Sequence, residues 1–89
     1  MCEMGQAVDV ICVCDAGGEI RPLRLRVEDA DGVRQRVDIG EVVSIRRIEF
    51  VGVESNLYLC RAEVQGRERL FELRYLFRSH TWRLLQSLC

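Results

Sequence analysis

The sequence predicts an all-β domain, either a small antiparallel barrel of the SH3-like kind or a strongly bent sheet ending in a three-stranded meander. Three observations carry this expectation. Apolar, β-branched runs recur at short, regular spacing between turn signals rich in Gly and Asp. One of them, Glu19–Glu28, alternates apolar and charged residues with the period of a half-buried strand. The C-terminal third reads as strand, two-residue turn, strand, tight turn and strand. A β domain this small must close or cover its sheet edges.

The first run, Ala7–Cys14 (AVDVICVC), is apolar on both faces apart from Asp9 and predicts a central, doubly covered strand. Asp15-Ala16-Gly17-Gly18 then turns the chain. In Glu19–Glu28, Leu23, Leu25 and Val27 share one face, and Arg24, Arg26 and Glu28 the other. Pro22 lacks a backbone donor, which places that end at a sheet edge or a bulge. Val33–Ile39 follows, with Val37 and Ile39 directed to the core.

Two registers compete across the turn before Val33. A four-residue loop sets Arg26 against Arg34 and Arg24 against Arg36, and like charges directly opposite destabilise a strand pair. A three-residue loop, Ala30-Asp31-Gly32, pairs Glu28 with Arg34 and Arg24 with Asp38. It also puts Gly32 in the left-handed position such loops need. This register is preferred, with Arg26–Arg36 its one repulsive pair.

In Gly40–Val53, Val43 and Ile45 alternate, then Ile48 and Phe50 do so one step out of phase. The slip predicts a strand with a β-bulge near Arg46-Arg47; a short helix over 41–48 is the alternative. Leu57–Val64 and Arg67–Phe77 then form a hairpin around Gln65-Gly66, with Tyr58 opposite Leu73 and Cys60 opposite Phe71. A turn at Arg78–Thr81 leads into Trp82–Leu88 and sets Phe77 against Trp82 and Tyr75 against Leu84.

The 89 residues suffice for one domain, residues 1–89, with 1–6 a loose N-terminal segment. A chain of this size buries only about 60% of its unfolded surface, so its core is thin and a large internal ligand cavity is not expected. There are 13 basic residues, all Arg, against 14 acidic ones. That balance argues against bulk electrostatic binding to nucleic acid or to an anionic membrane. The arginines are scattered rather than clustered, which fits codon bias better than selection for phosphate forks. No apolar run approaches the ~20 residues a membrane helix needs. Met1–Gln6 has Glu3 and no basic residue, unlike a secretory signal. The expectation is a cytoplasmic protein with its five cysteines reduced.

Few residues offer chemistry. Cys12 and Cys14 share a strand face, but structural zinc needs four ligands, and Cys2, Cys60, Cys89 and His80 show no paired ligand spacing. Both are expected to pack in the core. Cys2 and Cys89, near the chain ends, are the candidates for adventitious intermolecular disulfides. His80 sits in a polar turn with no nucleophile placed by a motif. Glu28, Asp29 and Asp31 lack the spacing of a calcium loop. No phosphate loop, nucleophile elbow or zinc-protease motif occurs. The reading is therefore non-enzymatic, with no catalytic residue, metal or cofactor.

Two surfaces remain. Leu57, Leu59, Leu70, Leu76 and Leu85 face away from the expected core; either they form a protein-interaction or self-association surface, or barrel closure buries them. Alternatively, Arg24, Arg26, Arg36, Arg46 and Arg47, with Arg34, would form a weak nucleic-acid face if their strands are neighbours. The aromatic residues lie mainly in the other half of the chain, so nucleic acid is the less favoured partner.

The stretch VICVCDAGGEIRPLRLRVEDADG (10–32), with RERLFELRY (67–75) and the Trp82 strand, resembles a family of small uncharacterised bacterial domains. The resemblance spans nearly the whole chain. It implies an all-β fold, assigns no activity and carries over no functional residue.

Overall fold

The computed structural model describes residues 5–28 and 31–87. Six strands, β1 (Gln6–Cys14), β2 (Ile20–Glu28), β3 (Arg34–Phe50), β4 (Val53–Val64), β5 (Arg67–Leu76) and β6 (Thr81–Ser87), run antiparallel in chain order. The last strand returns to the first: Gln6, Ala7 and Val8 pair with Leu84, Arg83 and Trp82. The sheet is thus a closed barrel, which decides between the two expected architectures. Closure spares a thin domain most of its unpaired edges.

Local chemistry sets two hairpins as expected. Glu28 pairs with Arg34, Arg26 with Arg36 and Arg24 with Asp38. Gly32 takes the left-handed conformation at φ 82°; Ala30 of that loop lies outside the described residues, as do Cys2 and Cys89. The β4–β5 turn has positive φ at both Gln65 and Gly66, the geometry that matches strand twist. Tyr58 meets Leu73 and Cys60 meets Phe71. At the N-terminus, Gln6 already belongs to β1, so the part of the expected loose segment that is described is partly strand.

Four expectations are corrected. The stretch 41–48 is neither a short helix nor a strand bulged at Arg46-Arg47. It lies inside β3, whose register shifts instead at Gly40 and Val43. These bulges come where β3 leaves β2 for β4: Arg34–Asp38 pair with β2, and Ile39–Phe50 with β4. A continuous strand can change neighbours only by bending, and bulges supply the bend.

The β5–β6 pairing slips by two residues from the expected register. Tyr75, not Phe77, stands opposite Trp82, and Leu73, not Tyr75, opposite Leu84. His80 adopts φ 57°, its N–H donates to the Leu76 carbonyl at 2.9 Å, and its ring meets the Tyr75 hydroxyl. The turn therefore closes earlier. A two-residue slip leaves every side chain on its face, so the expected core is retained.

In β2, a register shift between Ile11 and Cys12 of its partner strand makes Leu23 an extra residue. Pro22 is buried in its place and Leu23 is exposed. Finally, β1 is not doubly covered, and Cys12 and Cys14 are exposed rather than packed in the core.

The core centres on β4, β5 and β6: Tyr58, Cys60, Phe71, Leu73, Tyr75 and Trp82, joined by Leu25 and Ala62. The Trp82 ring lies 5.3 Å from that of Tyr58 and 4.9 Å from that of Tyr75. Such tilted aromatic pairs add roughly 0.5–1.5 kcal/mol beyond area burial.

Candidate interaction site

The barrel is closed at one end of β1 and open at the other. Among the described residues, 6–8 pair with β6, whereas Asp9–Cys14 pair only with β2. On the other side of the same hairpin, β2 reaches β3 only from Arg24 onward. Residues 9–14 and 20–23 therefore extend past the closed wall as a two-stranded arm, with Val10, Ile20 and Pro22 on its inner side still packed on the core. The bond from the Asp15 N–H to the Glu19 carbonyl closes its tip, and the Asp15 carboxylate accepts from the Gly17 and Glu19 N–H groups.

The arm carries exposed apolar residues on both faces, with Arg21 and Arg24 standing opposite Val13 and Ile11 on the outer one. Ile11 (57% exposed), Val13 (43%) and Leu23 look outward, while Cys12 and Cys14 continue the inward row of Val8 and Val10 beyond the core. Burial holds the Tyr75 hydroxyl above its ordinary pKa, and the proximity of Cys12 and Cys14 adds to the shift. The same hydroxyl meets Nδ1 of His80 at 3.0 Å. Among the described residues, no cluster of three or more His, Cys, Asp or Glu can hold a metal ion.

The open stretches of edge differ in how they are protected. Along β2, Pro22 removes a donor. Along β3, the Gly40 and Val43 bulges and the charges of Glu41, Arg46, Arg47 and Glu49 interrupt the edge. Pro, charge and bulges are the usual means of blunting a strand edge. The β1 stretch Val10–Cys14 carries no Pro and no charge, and the bulge in its pairing with β2 falls on Leu23 rather than on β1 itself.

A second exposed apolar patch caps the β3–β4 hairpin, where Phe50 is 75% and Val51 84% exposed beside Val53. Val51 holds φ 52°, a left-handed conformation that β-branched residues rarely adopt. The sequence signal was present in the dipeptide Val51-Gly52, but it lay hidden in a run read as one strand.

The leucine face is less exposed than either hairpin. The register places Leu57, Leu59, Leu70 and Leu76 outside the barrel, opposite Arg74, Glu72, Arg61 and Ser55. Leu57 is nevertheless only 8% exposed, and Leu59, Leu70, Leu76 and Leu85 are half-buried.

The arginines divide into two groups. Arg24, Arg26, Arg34 and Arg36 line an outer hollow of about 630 Å3 with Asp9 and Ile11. Arg24 bonds Asp38 at 2.6 Å, Arg26 bonds Asp9 at 3.2 Å, and Arg36 approaches Asp38 at 3.8 Å. Arg46 and Arg47 stand apart on the far half of β3, where Arg47 pairs with Glu54 and lies over the Phe77 ring. The five do not form one basic face.

Fold and surface define a small closed antiparallel barrel with two projecting apolar hairpins. In comparisons with known proteins, no family model, no curated protein and no solved structure matches the chain significantly.

Proposed function

We propose that this domain is a non-enzymatic protein-interaction module whose docking element is the projecting β1–β2 arm. The observation that carries the reading is the Val10–Cys14 edge, which is apolar, uncharged and unblunted while the neighbouring open stretches are protected. An edge of this kind offers main-chain donors and acceptors to an incoming strand, with alternate side chains supplying specificity. The leucine face, being half-buried, is the weaker candidate surface. The test is affinity capture with the wild-type chain and with Ile11→Lys, followed by reconstitution with each purified partner. A genuine partner, another protein or a second copy, binds the wild type and loses at least about tenfold in affinity for the variant. Partners that bind both equally would remove the arm from the reading.

A second reading, weak binding of phosphate-bearing chains, is favoured by one observation. Arg26 stands directly opposite Arg36 on the wall of a hollow that Arg24 and Arg34 also line. Fluorescence anisotropy with single-stranded RNA and duplex DNA at two salt concentrations tests it. Salt-sensitive binding that Arg36→Glu abolishes supports this reading, and no binding at low salt ends it.

A further inference from the structure

We propose that the occupant of the β1 edge is a second copy of this chain, joined by two-fold antiparallel pairing with Cys12 opposite Cys12 of the partner subunit. This inference rests on the interaction-module reading and names its partner.

Hydrogen-bond direction selects the register. Because the Asp15 N–H donates to the Glu19 carbonyl, alternation turns the odd-numbered residues of the arm toward β2. The N–H and C=O groups of Val10, Cys12 and Cys14 therefore point out of the open edge. Centring the two-fold on Cys12 sets Val10 against the partner's Cys14, and Cys14 against the partner's Val10. All of these outward groups are then satisfied in hydrogen-bonded pairs. A two-fold centred one residue earlier or later brings fewer of them into register.

Side chains favour the same arrangement. On the outer face, Ile11 meets the partner's Val13 and Val13 the partner's Ile11, covering two of the exposed apolar residues in each copy. The paired segment Val10–Cys14 carries no charge, and just outside it Asp9 comes opposite the partner's Asp15, the one like-charge pair of the register. Asp9, at its margin, is already bonded to Arg26. The β1, β2 and β3 strands of both copies become one continuous sheet.

The central pair supplies the readout. Directly opposed residues in a hydrogen-bonded antiparallel pair have Cα atoms about 5.5 Å apart, within the span of a disulfide. Sedimentation equilibrium of the full chain is run at rising concentration for the wild type and Ile11→Lys. In parallel, a Cys2→Ser, Cys14→Ser, Cys89→Ser variant, retaining Cys12 and the buried Cys60, is treated with diamide. As the S–S bond forms, diamide accepts the two electrons and two protons released by the two Cys12 thiols.

The expected result is a dimer that Ile11→Lys weakens at least about tenfold, with the diamide-linked peptide mapping to Cys12. A monomer at every concentration overturns the inference. So does a dimer indifferent to Ile11→Lys and without a Cys12–Cys12 link. Either outcome leaves the arm as a docking element for a different protein, which the capture experiment decides separately.

Discussion

The Tyr58 hydroxyl donates a 2.5 Å hydrogen bond to the backbone carbonyl of Ile20, 38 residues earlier in the chain. This bond ties the tip end of the arm, where Ile20 pairs with Cys14 beside the turn, to β4, the most buried strand. The same oxygen accepts from Nδ2 of Asn56 at 3.1 Å. Burial is the main reason its pKa stands above the ordinary value, with the Asn56 bond opposing the shift.

Tyr58→Phe strands the Ile20 carbonyl and the Asn56 amide with little change in packed volume. It is expected to cost about 1–3 kcal/mol in urea denaturation. Amide exchange should accelerate in residues 9–14 and 20–23 more than in β4 and β5. Uniform acceleration across the barrel would show that the bond does not anchor the arm.

Val51→Asn should stabilise the chain by about 1 kcal/mol. Val51 is β-branched at positive φ and almost fully exposed, so the change relieves backbone strain and gives up no burial. Asn-Gly is also the preferred pair for a two-residue turn with both φ positive. A rise in the melting midpoint checks this, and a fall would mean that the Val51 side chain packs on something.

Gly5→Ala should loosen barrel closure. A Cβ at Gly5 would sit 2.6 Å from the Leu84 carbonyl oxygen and 2.9 Å from Cδ2 of Leu85, at φ 92°. The obstacle includes backbone, so β6 must shift. The Arg83 guanidinium bond to the Gly5 carbonyl, at 2.9 Å, would shift with it. A loss of about 1–3 kcal/mol is expected, with β1 and β6 amides exchanging fastest. An unchanged midpoint would show that the junction yields without cost.

Stability should decline at high pH because of Cys60. Desolvation pushes its thiol from an ordinary 9 up to about 12. Below pH 9 the thiol is neutral in both states and its contribution is fully present. Between pH 9 and about 12 the unfolded chain releases a proton that the folded chain keeps, so folding weakens by up to roughly 1.4 kcal/mol per pH unit. Tyr58 and Tyr75, also raised, add in the same direction above pH 10. Urea midpoints measured from pH 8 to 11 should fall steadily, and Cys60→Val should flatten the slope. An equal slope in that variant would assign the effect to the tyrosines alone.

Much of the fold was legible because neighbouring residues decide it. Gln65-Gly66 accepts positive φ at both positions, so the β4–β5 register follows from the turn. Glu28, Arg34, Arg24 and Asp38 choose the β2–β3 register through charge. Where the deciding partner is distant, reading along the chain failed. Nothing near Phe77 announces that His80 will turn back to Tyr75 and close the hairpin one residue early, which slips the pairing by two. The candidate site was less legible still. Ile11, Val13, Cys12 and Cys14 look like a buried strand because they are apolar on both faces, yet they stand beyond the core.

From the sequence alone came the β class, most of the strands, two hairpin registers and the inward row of β4 and β5, because alternation and turn chemistry act within a few residues. The tertiary structure alone decided where β3 changes neighbours, that six strands close, and that β1 outruns β6. Closure depends on the tilt and stagger of all the strands together, and a strand's exposure depends on whether its neighbours reach as far as it does.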